Sequence, residues 1–221
     1  IMFRSYTFTF DEVRPDEKVL MDYLQIPDND SYLLVAGIVE STFAALKDSR
    51  EIIGGYRILD YGDVTLQPGR RISGYMAGAS EIALFICTAG AAFTDLSHAY
   101  QQNGDFLEAF VVESIGSATV ENAMDKVQRC LEEEMSREGK KITNRYSPGY
   151  CEWPLSGQRD LFTYIGDHPT GITLNESCLM QPIKSVSGII GIGDTVKKRP
   201  YGCEICNSAT CVYRRIKRKT H

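Results

Sequence analysis

The run Glu81-Ile82-Ala83-Leu84-Phe85-Ile86-Cys87-Thr88 lies between Ser80 and Gly90 and is apolar without alternation. A short continuous run of this kind, bounded by turn formers, predicts a strand buried on both faces. Downstream, Gly104-Asp105 opens a different pattern. Leu107, Val111, Ile115 and Ala118, then Val120, Met124, Val127, Leu131 and Met135, recur every three or four residues. That period predicts one long amphipathic helix, stopped by Gly139, with Arg137 and Lys140 placed well for its C-terminal dipole. Upstream, Pro27–Ser31 supplies helix-start residues before an apolar run over Leu33–Leu46 that ends near Lys47–Ile53. Gly54-Gly55 predicts a break, Tyr56–Asp60 a short strand and Gln67-Pro68-Gly69 a turn. Asn144–Pro154 carries two prolines and a glycine, so it predicts an ordered loop. Leu155–Ile165 predicts a short helix, and Ile172–Leu174 and Ile183–Ile192 predict strands. Helices and strands mix without a βα repeat, which predicts an α+β fold with a mixed, mostly antiparallel twisted sheet and flanking helices.

The chain has 221 residues, 43% hydrophobic and 24% charged, which excludes a disordered chain. Its apolar stretches fall short of the roughly 18 residues that span a bilayer. A net charge of −5 hides an asymmetry: Lys197–His221 holds eight basic residues and one acid, leaving an acidic body. An acidic body repels nucleic acid, so neither nucleic acid nor membrane is expected as a partner. With no export signal in view, the expected location is cytoplasmic, with reduced thiols. Three of the seven cysteines, Cys203, Cys206 and Cys211, have C-x2-C-x4-C spacing. They are candidate ligands for zinc or an iron–sulfur cluster, with Cys151 or Cys178 as a fourth; the alternative is three reduced thiols in a packed segment.

No phosphate-binding G-x-x-x-x-G-K-[ST] loop, nucleophile elbow or H-E-x-x-H pair occurs. Gly188, Gly191 and Gly193 read as a strand that needs small residues. His98, His168 and His221 have no partner at metal or triad spacing and read as ordinary surface or core histidines. Glu108 shares its helix face with apolar Val111, Val112 and Ile115, so its carboxylate needs a partner. That partner is either a cationic ligand group or a protein counter-ion at the rim. Arg145 precedes the stiff Pro148-Gly149-Tyr150 turn, which can hold an anion donor and an aromatic face in fixed relation; a purely structural corner reads equally well.

Arg145-x-x-Pro148-Gly149-Tyr150-x-x-x-Pro154 resembles the arginine and Pro-Gly-Tyr loop of the activation domain of cobalamin-dependent methionine synthase. A second segment agrees: Thr173-Leu174-Asn175-Glu176-Ser177-Cys178-Leu179-Met180-x-Pro182-x-x-Ser185-Val186-Ser187-Gly188. So does the triplet Glu108-Ala109-Phe110 on the long helix. The resemblance covers about residues 80–195. It implies residues 1–196 as an activation-like domain, with a helical N-terminal part over about 1–55, and 197–221 as a Cys-rich basic extension.

The resemblance further implies S-adenosylmethionine binding. Arg145 would take the methionine carboxylate and Glu108 the ligand's amino or positive end. Backbone around Ser147 and Gly149 would meet the adenine. Tyr150, the one residue given a catalytic place, would pack near the methyl group and the corrin. The implied role is reactivation of a methionine synthase or related corrinoid methyltransferase. Cobalamin would be carried by that partner, and electrons would come from a donor such as a flavodoxin or ferredoxin. A chain of this length leaves no room for the other methionine synthase modules, so action in trans is expected. Departures from the family pattern are Leu155-Ser156-Gly157-Gln158 after Pro154, where an acid and a histidine are expected, and the absence of a tyrosine pair after Gly188. They leave two alternatives: a corrinoid-protein binding module without S-adenosylmethionine activity, and an iron–sulfur protein that reduces cob(II)alamin.

Overall fold

A computed structural model describes residues 2–24, 26 and 28–199. In chain order the elements are β1 (Arg4–Phe8), α1 (Phe10–Val13), α2 (Glu17–Leu24), α3 (Asn29–Leu46), β2 (Ile52–Asp60) and a 3-10 turn (Tyr61–Asp63). There follow α4 (Gly69–Tyr75), β3 (Glu81–Thr88), α5 (Ala92–Asn103) and α6 (Phe106–Arg137). The remainder is β4 (Lys141–Ile142), α7 (Gly157–Ile165), β5 (Thr173–Leu174), β6 (Met180–Gln181) and β7 (Ser185–Gly193).

Five strands form one antiparallel sheet in the order β1-β2-β3-β7-β4, and β5 and β6 form a separate small hairpin. The apolar β3 is central because both faces of the sheet are covered. Ala83, Phe85 and Cys87 point into a core shared with α3, α5 and α6. Ile82, Leu84 and Ile86 point into a second core with Ile72 of α4, Trp153, and Leu161 and Ile165 of α7. A strand sandwiched this way has no polar face, which is why its sequence does not alternate.

α6 spans 32 residues, about 48 Å at 1.5 Å per residue. It buries Val111, Ile115, Val120, Met124, Val127, Leu131 and Met135, as the periodicity predicts. Ala118 is only half-buried, and Leu107 lies exposed with Phe106 and Phe110 at the helix start. The start of α3 also matches its signal: Asp28 Oδ1 accepts from the Ser31 N–H at 2.8 Å.

The structure departs from the expected break at Gly54-Gly55. Gly54-Gly55 does not interrupt the chain but lies inside β2, which begins at Ile52. A Cβ on Gly54 would stand 2.6 Å from Cys87 Sγ, and one on Gly55 would stand 2.0 Å from the Arg4 carbonyl oxygen. These glycines let α6 and β1 approach β2 closely. Likewise Gln67-Pro68-Gly69 does turn, but Gly69 is already the first residue of α4. In the N-terminal part, β1 supplies an edge strand beside α1, α2 and α3.

Candidate functional site

β4 and the residues after it run along the outer edge of β7. Lys141 and Ile142 pair with Gly193 and Ile192. Tyr146 and Ile189 then exchange both backbone hydrogen bonds, at 3.0 and 2.8 Å. The chain next leaves the strand edge. Tyr146 stacks on Tyr75, with ring centroids 5.8 Å apart. Pro148 is buried, and Trp153 inserts into the core beneath the sheet. The loop closes on itself: the Gly149 N–H donates to the Trp153 carbonyl at 2.8 Å, and the Trp153 N–H to the Tyr150 carbonyl at 2.9 Å. Gly149, Cys151 and Glu152 all have positive φ, at 91°, 50° and 72°. Only glycine adopts that region freely, so the two side-chain-bearing residues store backbone strain of order 1–2 kcal/mol each. The ordered loop expected over Asn144–Pro154 is therefore present, fixed at both ends, with Tyr150 65% exposed at its tip.

Arg145 leaves this edge toward the middle of α6. Its Nη2 reaches Asp125 Oδ1 at 2.8 Å and Glu121 Oε2 at 3.2 Å. The side chain is only 15% exposed, and its Nη1 is buried with no hydrogen-bond partner among the described residues. One donor face of the guanidinium is thus saturated by two carboxylates and the other is unsatisfied, a costly arrangement that an anionic oxygen would relieve. The Glu121 carboxyl is pushed above its ordinary range, first by partial desolvation and then by Asp125, with Arg145 pulling the other way.

Glu113, Ser117, Glu121 and Asp125 succeed one another at four-residue steps and make a polar stripe along α6. Lys184, just before β7, closes the far part of that stripe. Its Nζ pairs with Glu113 and donates to Ser117 Oγ at 3.1 Å, and its side chain is 11% exposed. Its carbonyl accepts from the Ala89 N–H at 2.8 Å. Between these two cations, β7 presents an edge. Because Ile189 turns its N–H and C=O outward to Tyr146, Ser187, two residues back, turns its own toward the same side. The strand edge opposite Tyr146 ends there, so Ser187 lies beyond it among the described strands. Its hydroxyl is engaged below, donating to Gln158 Oε1 at 2.6 Å.

The structure brings together Arg145, Ser147, Gly149 and Tyr150, since all four lie on this one anchored loop. It does not bring Glu108 to them. Glu108 precedes Glu121 by thirteen positions on α6, about 20 Å along the axis and about 140° around it. It sits half-buried in the first turn, where a carboxylate suits the helix dipole. The acids that meet Arg145 are Glu121 and Asp125, which sequence reading passed over. Their four-residue spacing was visible, but nothing in the sequence says that this stripe faces Arg145. Cys203, Cys206 and Cys211 lie outside the described residues. Cys178 is buried with Sγ 3.1 Å from Arg159 Nε, and no cluster of three potential metal ligands occurs among the described residues. His168 is half-buried between Phe3 and Phe162, and its Nδ1 lies 2.9 Å from Thr170 Oγ1. No described helix is long and apolar enough to cross a membrane.

The family described as vitamin B12 dependent methionine synthase, activation domain, matches residues 72–205 of this chain. Among solved structures, "Crystal Structure of the MetH Reactivation Domain bound to AdoHcy" superposes with a TM-score of 0.63. That match covers 91% of this chain and 81% of the other at 15% identity, a likeness of fold. No curated protein matches.

Proposed function

The chain belongs to the family of vitamin B12-dependent methionine synthase activation domains, and from that premise we propose that it binds S-adenosylmethionine where the Arg145–Pro154 loop and the β7 edge meet α6. The observation that carries this reading is the buried, unpartnered Nη1 of Arg145 beside two carboxylates. A zwitterionic amino-acid head group offers what such a site lacks, one carboxylate for the guanidinium.

Arg145 then holds the ligand carboxylate through Nη1 while Glu121 and Asp125 keep Nη2 in place. The outward edge of Ser187 and the backbone at Ser147 and Gly149 suit a planar heterocycle with donor and acceptor edges. Tyr150, exposed at the loop tip, covers the sulfonium side and faces the partner. The ligand and a partner's corrinoid together supply the chemistry, transfer of a methyl group to cobalt with one electron from a separate donor. This chain contributes binding and orientation, which make the methyl an oriented rather than a diffusing reactant. The role is reactivation of a corrinoid methyltransferase, with the corrinoid protein and the electron donor as partners.

Calorimetric titration with S-adenosylhomocysteine tests this. Wild type should bind, and Arg145→Ala should weaken binding by tenfold or more. Absence of binding to wild type, or equal affinity in the variant, would overturn the reading.

A further inference from the structure

The first turn of α7 is drawn up beneath the Arg145–Pro154 loop. Gly157 opens that helix, and a Cβ on it would stand 2.3 Å from Trp153 Nε1. Only a residue without a side chain lets the loop indole lie directly against the helix. The Gly157 and Gln158 N–H groups donate to the Pro154 and Leu155 carbonyls, both at 3.0 Å, so the loop runs into the helix without slack. This fixes the place of Gln158. Its side chain lies under β7, where Oε1 accepts from Ser187 Oγ at 2.6 Å. Ser187 is the residue whose backbone edge lies beyond Tyr146 among the described strands.

Gln158 is only 3% exposed, yet half of its amide is idle. Nε2 carries two N–H donors, and no described group accepts from them. An unpaired donor on a buried side chain costs about 1–3 kcal/mol. Unlike Arg145 Nη1, this nitrogen is not sealed from solvent, so a ligand can reach it. Because the Ser187 hydroxyl donates to Oε1, the amide is held with Nε2 as its free end. Oxygen and nitrogen share one carbon, which places that end beside the open part of β7. Gln158 falls in Leu155–Gln158, where the chain departs from the family pattern, so the resemblance assigns it no role.

Resting on the S-adenosyl reading above, we infer that Gln158 Nε2 donates to a ring nitrogen of the ligand's adenine, which makes Gln158 the side chain that selects the base. Adenine carries acceptor nitrogens in its plane, and the free end of Gln158 offers only donors. The backbone groups of Ser147, Gly149 and Ser187 suit any planar heterocycle with donor and acceptor edges, whereas Gln158 demands an acceptor at one ring position. A base with carbon at that position leaves the buried donor unpaired and is disfavoured.

Calorimetric titration compares S-adenosylhomocysteine with its 1-deaza, 3-deaza and 7-deaza analogues, each lacking one ring nitrogen, on wild type, Gln158→Met and Gln158→Glu. Wild type should bind one analogue about tenfold more weakly than the parent, the worth of one donor left unpaired. Gln158→Met should bind that analogue and the parent alike. Gln158→Glu keeps an acceptor for Ser187 but turns an oxygen toward the ring, so there the analogue should bind as well as the parent or better. Ratios are read because a general loosening of α7 or the loop weakens all the probes together. Equal binding of every probe by wild type, or a penalty that persists in either variant, would overturn the inference and leave the ligand reading standing. If wild type binds none of the probes, both fail.

Discussion

Gly188→Ala probes the joint between the fold and the site. Gly188 lies in β7, pointing to the α6 face opposite Phe85. A Cβ placed there would stand 2.2 Å from the Tyr146 carbonyl oxygen and 2.7 Å from Phe85 Cζ. Phe85 can yield a little, but Tyr146 is backbone, held to Ile189 by two hydrogen bonds. Relief requires moving the Tyr146 carbonyl outward by about 1 Å, the shortfall from ordinary contact. Losing that pair costs about 1 kcal/mol per bond, and overpacking against Phe85 adds about 1–2 kcal/mol. The sum is about 3–4 kcal/mol, or a Tm lower by about 6–16 °C in a domain of this size. Urea unfolding followed by circular dichroism measures it. Gly37→Ala serves as the reference, because that exposed α3 glycine has open space at Cβ and should gain about 0.5–1 kcal/mol. A Gly188→Ala loss below about 1 kcal/mol would refute the claim that the loop bearing Arg145 is clamped to the sheet through this glycine.

Lys184→Met should cost about 1–2 kcal/mol in the same assay. It leaves the Glu113 carboxylate without its counter-ion, while the Ser117 hydroxyl keeps its bond to the Glu113 carbonyl and Glu113 is 33% exposed, which limits the penalty; an unchanged midpoint would show that the latch to α6 is idle. Burial pushes the Cys87 thiol up to about 12. Its raised folded value means that the unfolded chain ionises first, so this contribution to stability is whole below about pH 9 and is lost as pH rises toward 12. Cys87→Ala should flatten that alkaline slope. In native protein at pH 8, Cys87 should resist a thiol reagent that reaches Cys130 and Cys151, and mass spectrometry of the labelled peptides would expose the reverse order.

Much of this molecule is written locally. The unbroken apolar character of β3 requires cover on both faces. The spacing from Val111 to Met135 requires one long helix. The prolines and glycine of Arg145–Pro154 require a stiff loop, and Gly188 and Gly191 require a strand crowded by its neighbours. Each follows from period, branching or backbone sterics within a few residues of sequence. What failed also has local form and a distant cause: Gly54-Gly55 carries a break signal, yet Cys87 and Arg4, remote in sequence, make glycine necessary inside a strand. The same holds for the candidate site. The sequence singled out Arg145 and its loop, because the rigid turn lies beside the arginine. It could not choose among the acids of α6, since helix periodicity says which residues share a face but not which face meets a given edge of the sheet. Docking β7 and its neighbouring loop against α6 decided that, turning Glu121 and Asp125 toward Arg145 and Glu108 away from it.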